Sequence, residues 1–524
     1  MTTLIARRSR LRSFIDRHRR ELLVALALLL IGVAVLLSMA TRLTPYVRDQ
    51  AVSALNQRFQ SEVSLDALQV SVFPRPAVWG AGLTLRHNGR TDVPPLLTIG
   101  SFSASAGMFG LFSSPVRVRT VELDRLEVRI PPGGVERSSF SGTTSAGGGV
   151  SIDQIVSREA RLEIVPRDPG KLPRVFEIHD LVMGGFGQAD GALFHATLTN
   201  PTPHGEITTQ GHFGPWQKED PRRTPLRGRY VFEKANLDTI KGIGGTLSST
   251  GAYSGVLERI EVKGETDTPD FAIDVASQPV RLKTRFHAVV DGTNGDTFLQ
   301  QVEARLVETV ILAKGSVVRA EDVKGRRTTL DVRIDDGRLE DILKLAVKSK
   351  RPLMTGRMDL DTSFLLPAGD AAVIDRLQLD GTFALARATF TDVKVQRRIN
   401  ELSKRGRGKP EGPDANVVSN FSGSFVLRDG QLRFKRLQFA VPGAVVQLAG
   451  TYNLRRETLD FNGDVLLDAT LAEMTTGFKS VLARIAQPLF SREGGGSKLP
   501  IRVAGPVAKP EFGLDMKRAF TPGD

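Results

Sequence analysis

The decapeptide GIGGTLSSTG, Gly242–Gly251, has the glycine density of a loop that cradles phosphate. It lacks the Gly-Lys-Ser/Thr ending that would carry a lysine to the phosphates, and no helical pattern follows it. It therefore reads as a turn or bulge. In DGTNGDTF (Asp291–Phe298), Asp291, Asn294 and Asp296 offer oxygens to a hard cation. The full calcium loop and its terminal glutamate are missing, so a polar hairpin turn is the better reading. His195, His204 and His212 recur at intervals of nine and eight, without the tight spacing of a metal site. The chain has no cysteine, which removes disulfides, thiolate catalysis and Cys-based metal sites together. No G-x-S-x-G elbow occurs. These residues imply no enzyme, no catalytic residue, no metal and no cofactor.

What remains is a question of positioning and surface. The chain has 524 residues, 40% hydrophobic and 25% charged, with 51 Gly and 27 Phe against 4 Tyr and 2 Trp. That profile suits many short strands joined by turns. The net charge is +13, but seven arginines crowd into residues 1–21, among them Arg17, Arg19 and Arg20. The rest is spread along the chain without a basic stripe or a known module, so no nucleic-acid partner is expected.

Leu22–Ala40, LLVALALLLIGVAVLLSMA, is nineteen residues without a charge. As a helix it would span about 28 Å, close to a bilayer core. Leu22, Leu30 and Leu37 mark its length. The arginines immediately before it place the N-terminus in the cytoplasm and everything after Ala40 across the membrane. Ser38 and Ala40 have the small-x-small spacing of a signal-peptidase site, but the apolar run exceeds the usual length of about 7–15 residues. The reading is an uncleaved single-pass anchor.

Thr44-Pro45 then opens an amphipathic helix over about 44–60, with Val47, Ala51, Val52, Leu55 and Phe59 on one face. From about residue 63 the period becomes two. Val280, Leu282, Phe286, Ala288 and Val290 share one face of a strand, and Arg281, Lys283, Arg285 and His287 the other. Leu377, Leu379, Phe383 and Leu385 repeat the arrangement, as do Leu459, Phe461, Val465 and Leu467 opposite Asp460, Asn462 and Asp464. Such strands predict an antiparallel meander with one apolar and one solvated face. Helical patterns are few: Gly337–Lys348, Val393–Ser403 and about 470–488. They cannot cover so many strands, so the apolar face must pack on a second sheet, close into a barrel, or line a trough filled by a ligand. The segmentation is a basic tail (1–21), a transmembrane helix (22–40), and a helix-plus-strand region (41–132). A Gly/Ser-rich linker (133–150), a central β region (151–370) and a C-terminal β region (371–524) follow.

The order of these parts resembles the AsmA family of bacterial envelope proteins. The resemblance rests on the Arg-rich tail and anchor, the helix from Thr44-Pro45, and VSVFPRPAVWGAGLTLR (Val70–Arg86). It also rests on LFSSPVRVRTVELDRLEVRI (Leu111–Ile130), Pro488-Leu489-Phe490 and LPIRVAGPVAKPEFGLD (Leu499–Asp515). It covers about 40–130 and 375–515 well and the centre less specifically. It implies a mainly β fold: an extended antiparallel sheet curled into an open groove, with an N-terminal transmembrane helix and a few short amphipathic helices. It further implies an inner-membrane-anchored periplasmic protein whose groove holds phospholipid acyl chains, in support of lipid transport and outer-membrane homeostasis. Phe271, Phe286, Phe434, Phe439 and Phe461 are the expected lining. The alternative is a non-enzymatic assembly or scaffold factor for outer-membrane proteins. The inner membrane, phospholipids and other envelope proteins are the expected partners.

One phrase is written twice. VKGETDTPDFAID (Val262–Asp274) and VAGPVAKPEFGLD (Val503–Asp515) place Gly264 on Gly505, Pro269 on Pro510 and Phe271 on Phe512. Each copy reads as a structural corner, glycine releasing the backbone from the strand and proline blocking further pairing. The repetition suggests two similar β units in series.

Overall fold

The computed structural model of the chain is mainly β, about 70% strand and 10% helix, with a long mixed sheet. It describes Pro45, Arg48, Asp49 and Val52, and then most of residues 61–514. The remainder of 1–60, the segments 72–76, 88–93, 108–115, 131–149, 165–173, 187–189, 275–277, 347–350, 411–415 and 474–494, several single positions and 515–524 lie outside the described residues.

The strands begin with β1 (Ser61–Ser64), β2 (Ala67–Ser71), β3 (Ala77–His87), β4 (Leu97–Ala106) and β5 (Val116–Ile130). Next are β6 (Val150–Ser157), β7 (Ala160–Ile164), β8 (Arg174–Phe186), β9 (Ala192–Pro201), β10 (His204–Phe213) and β11 (Pro225–Asn236). Then come β12 (Ile243–Gly244), β13 (Thr246–Val256), β14 (Arg259–Ile273), β15 (Val280–Val290), β16 (Thr297–Leu306), β17 (Thr309–Arg319) and β18 (Arg326–Arg338). The last are β19 (Met354–Leu366), β20 (Gln378–Phe390), β21 (Ser419–Arg428), β22 (Gln431–Val441), β23 (Ala444–Asn453), β24 (Thr458–Leu467), β25 (Ser497–Pro506) and β26 (Glu511–Leu514). Three α-helices interrupt them: α1 (Leu339–Ala346), α2 (Val373–Arg376) and α3 (Val393–Gly406). The chain divides into two compact units, 1–201 with 208–227, and 202–207 with 228–524.

In the first unit β3, β4 and β5 pair antiparallel, and β1 and β2 lie end to end along β3. Arg48 in the helical stretch before them donates to the Leu65 carbonyl between β1 and β2, at 2.7 Å. The expectation of an extended antiparallel sheet is corrected at the next strands, where the sheet is mixed. β5 pairs parallel with β6 through Val118↔Ile152 and with β7 through Val128↔Leu162. β6 and β7 in turn pair antiparallel with β8, and β8 with β9. Two strands can lie parallel only when the connection between them returns to the starting end of the first, and the segment from Pro131 to Gly149 is long enough to do so. The runs around Val116 and Ile130 also belong to one strand, whose interruption is the left-handed residue Arg125 (φ 51°).

In the second unit β13 to β26 form an uninterrupted antiparallel meander. Because the strands alternate in direction, β14, β16, β18, β20, β22 and β24 all end at one rim. The helices of eight residues or more, α1 and α3, leave from that rim among the described residues. The opposite rim carries turns such as Asp429-Gly430 and the short α2, which Arg455 ties to the β23–β24 turn through Asp375. The expected helices at 337–348 and 393–403 are thus present. That at 470–488 and the apolar segment at 22–40 lie outside the described residues, as does most of 44–60. Among the described residues no helix is long and apolar enough to cross a membrane.

The repeated phrase does not make the same structure twice. Gly505 has φ +96° one residue before β25 ends, and β26 returns from Glu511, so the second copy is a corner. Gly264 instead lies in mid-strand, paired with both Gly251 and Phe286, and β14 runs on through Pro269 to Ile273. Pro269 occupies an irregularity between Thr268 and Phe271, where a missing N–H breaks no ladder bond.

Candidate functional site: an apolar face across fourteen strands

Strand side chains alternate between faces, so residues in register share a face across every neighbouring strand. One register row runs from β13 to β26. It starts with Gly251, Gly264 and Phe286, then crosses Val302, Ala313, Val332, Thr362 and Gly381. Phe425, Phe434, Gly450, Phe461 and Val503 carry it on to the position of Phe512. Three of the five expected lining residues, Phe286, Phe434 and Phe461, therefore lie on a single line. With about 4.8 Å between strands, that line follows the sheet for roughly 60 Å.

Phe439 belongs to a parallel row with Leu385, Phe421, Val446, Val465 and Leu499. Phe271 pairs with Val280, beyond the irregularity at Pro269. The rings form two groups of contacts, and in the first Phe434 lies 6.3 Å from Phe383, 6.5 Å from Phe425 and 5.8 Å from Phe461 between centroids. Phe439 sits 4.8 Å from Phe421. Sequence reasoning put Phe383 on its strand's apolar face but missed Phe421 and Phe425 as members of this set. Their signal was present in the same period-two spacing, but register between strands is needed to align it.

Glycines alternate with these rings because the rings need the space. A Cβ on Gly264 would stand 2.7 Å from the Tyr230 hydroxyl and 3.0 Å from Phe286 Cζ, and one on Gly450 would stand 2.9 Å from Phe461 Cδ1. Tyr230 thus lies across the glycine pair and shares a hydrogen bond with Ser249 (3.1 Å), and burial pushes its phenol pKa up.

The opposite face is charged. Adjacent to the apolar row runs another through Glu265, Arg285, Glu303, Leu312, Arg333 and Asp361. Arg285 donates to Glu265 at 3.1 Å, and Arg281 to Asp267 at 3.1 Å, which holds the Asp267 carboxyl below its usual range. A cleft of about 520 Å³ is lined by the charged residues Arg229, Lys263, Arg285 and Glu303 together with Gly251, Gly264 and Phe286 of the apolar row.

The apolar face is only half covered. Phe461 is buried at 5% exposure, but Phe271, Phe286, Phe434 and Phe439 are each only partly buried. Among the described residues Leu306 is the largest side chain that is fully enclosed, and the next largest are Thr224, Thr268, Thr309, Asp341 and four serines. A closed sandwich or barrel of fourteen strands would enclose its aromatic rings first. Among the described residues, the helix rim covers part of it. Ile399 and Leu402 of α3 pack with Phe439, Val465 and Leu499 against buried Val417, Val441, Ala444 and Leu467.

The motifs that resembled chemical sites have structural roles. Gly242–Gly251 forms a 3-10 turn exit, β12 and the start of β13, with Asp238 accepting from Gly245 N. In the Asp291–Asp296 turn, the place a cation would take is filled by Arg326. Its guanidinium donates to the carbonyls of Asn294 (3.0 Å) and Gly295 (2.6 Å) and to Asp296 Oδ1 (3.3 Å). His195 and His204 are exposed on β9 and β10, and among the described residues no three His, Asp or Glu side chains cluster as metal ligands. Leu22, Leu30, Leu37, Arg17, Arg19 and Arg20 lie outside the described residues. No protein-family profile, no curated protein and no solved structure matches the chain.

Proposed function

We propose that the chain is an AsmA-like envelope protein whose second unit holds phospholipid acyl chains along the apolar face of its sheet. The observation that carries this reading is the row from Gly251 to Phe512, apolar but for Thr362 across fourteen strands and largely half-covered, with charges on the other face. An apolar strip of that length in water needs an apolar occupant. Acyl chains match it because they are long, flexible and satisfied by dispersion and burial alone, while headgroups remain in water. Binding of this kind is passive, so it needs no catalytic residue, metal or cofactor. The apolar segment Leu22–Ala40, with Arg17, Arg19 and Arg20 before it, would hold the chain in the inner membrane with its body in the periplasm.

The test compares extracted lipid rather than lipid alone, because an anchor would itself retain some. Phospholipid is extracted and quantified from purified wild-type chain and from the Phe286→Asp/Phe434→Asp variant. The expected result is a clear loss of phospholipid from a variant that keeps its β circular dichroism. Equal lipid in both, or unfolding of the variant as a closed core would unfold, would sink the acyl-chain reading and favour the scaffold alternative.

A further inference from the structure

The helix α3 lies along the strand ends with an unusual division of faces. Its inward side sets polar groups beside the packed Ile399 and Leu402: Gln396 and Asn400 are buried, and Ser403 is fully enclosed. Gln396 donates to the Val417 carbonyl (2.9 Å) and accepts from Phe390 N (2.9 Å); Asn400 accepts from Val417 N (3.2 Å). Ser403 donates to the Pro442 carbonyl at 2.7 Å, and the Gly406 carbonyl accepts from Ala469 N at 2.8 Å. The helix thus straps the ends of β20, β21, β22 and β24, which fixes what its outer side presents.

That outer side combines cations with uncovered apolar groups. Between Val393 and Lys409 the chain carries seven Lys and Arg against Glu401 alone. Lys394, Arg397, Arg398, Arg405 and Arg407 are exposed, and among the described residues no ion pair engages Arg397, Arg398 or Arg405. Asp392, the acid at the start of the helix, is occupied as N-cap by Lys394 N (2.8 Å) and Val395 N (3.0 Å). On the same rim stand Val393 at 69% exposure, Leu353 at 54%, Val418 at 44% and Val395 at 39%. Thr391 holds Leu353 beside the helix start through the Leu353 carbonyl. A cationic helix face with projecting aliphatic side chains is the chemistry that seats on anionic headgroups, with the aliphatics entering the acyl boundary. A nucleic acid would use the cations but leave the valines and leucine in water, and α3 presents no aromatic ring for base stacking.

We propose that the α3 rim docks on an anionic phospholipid surface. This goes beyond acyl-chain holding and stands without it, since the contact uses the outer side of a strap and not the sheet face. The natural absence of cysteine permits a site-specific test on the full chain kept soluble in an amphipathic polymer. One variant carries Val395→Cys, and a control carries Arg456→Cys in the turn at the opposite rim, each labelled with an environment-sensitive fluorophore. Vesicles of phosphatidylcholine with phosphatidylglycerol are expected to blue-shift the label at 395 and leave that at 456 unchanged, and vesicles of phosphatidylcholine alone to shift neither. Adding Arg397→Glu/Arg398→Glu to the 395 variant is expected to weaken the response about thirtyfold or more, at roughly one surface-bound cation's worth per arginine. Thermal unfolding of that variant should be unchanged, as both side chains are exposed. No shift at 395, an equal shift without phosphatidylglycerol, an undiminished response in the double variant, or a shift produced by duplex DNA would overturn the proposal. Extracted lipid reports separately on the acyl-chain reading: Arg397→Glu/Arg398→Glu should retain it where Phe286→Asp/Phe434→Asp loses it.

Discussion

Gly264 is the residue at which sequence and structure differ most instructively. Its place in a repeated phrase suggests a corner, yet its φ is that of an ordinary strand residue. What it supplies is room for Tyr230 and Phe286, with a Cβ also only 2.8 Å from the Thr250 carbonyl. The Gly264→Val variant should therefore lose about 1–3 kcal/mol of stability, seen as a lower midpoint in denaturant. If the valine pushes Tyr230 into water, its raised phenol pKa should fall back toward 10.0, read by ultraviolet titration. Asp341 makes a second case. It is 2% exposed and accepts from Glu308 N and Thr309 Oγ1, both at 3.1 Å, pinning α1 to the β16–β17 turn. Asp341→Ala removes the carboxylate from Glu308 N and leaves Thr309 Oγ1 only the Arg338 carbonyl (3.3 Å), and should cost about 1–3 kcal/mol by the same measurement. Neither role can be read from one strand, because each partner comes from an element distant in sequence.

At the scale of elements, period-two alternation placed β15, β20 and β24 of the second unit and sorted their faces. The helix at Val393 was legible as a pattern over Val393–Ser403, and Ile399 and Leu402 are its residues packed on the core. Its polar inward groups were not legible, although Gln396, Asn400 and Ser403 recur at helical spacing, because a polar stripe ordinarily means solvent. The strand exits carry another unread signal. Lys234-Ala235, Asp336-Gly337 and Arg387-Ala388 each put a left-handed residue before a small buried one, just before a helical turn begins. Bulges of this kind bend a strand so that the next element can cross its end. The N-cap gives α3 a pH response. Backbone N–H groups of Val395 and Lys394 hold the Asp392 carboxyl below its usual value of 3.8. Its contribution is complete above that unfolded-state value and is lost as pH falls through the lower folded-state value. Acid titration by circular dichroism should show this loss in the wild type, whereas Asp392→Asn should lack that component.

For the whole molecule, the sequence made the fold class plain but not the parallel junction of β5 with β6 and β7. That junction depends on where a Gly/Ser-rich connection returns, and such a segment carries no register information. The face rows were illegible for a related reason: each strand shows its own alternation, but only pairing turns fourteen alternations into one strip. If that strip is filled by acyl chains, lipid-stripped protein should bind an apolar fluorescent dye, and phospholipid should displace the dye and raise the unfolding temperature with the logarithm of its concentration. A dye-silent stripped protein with a lipid-independent unfolding temperature would count against the reading.

The straps α1 and α3 both leave from one rim of the second unit, and this bears on how such a chain can change in length. A hairpin together with its strap enters and leaves at the same rim, so copying one adds two strands without altering the order or direction of any other. Each copy would lengthen the apolar strip by about 9.6 Å at the usual strand spacing. Growth by duplication would keep every existing neighbour pair except the one opened to admit it. The length of this sheet is then a heritable quantity that can vary in steps of two strands, while the chemistry of its faces stays the same.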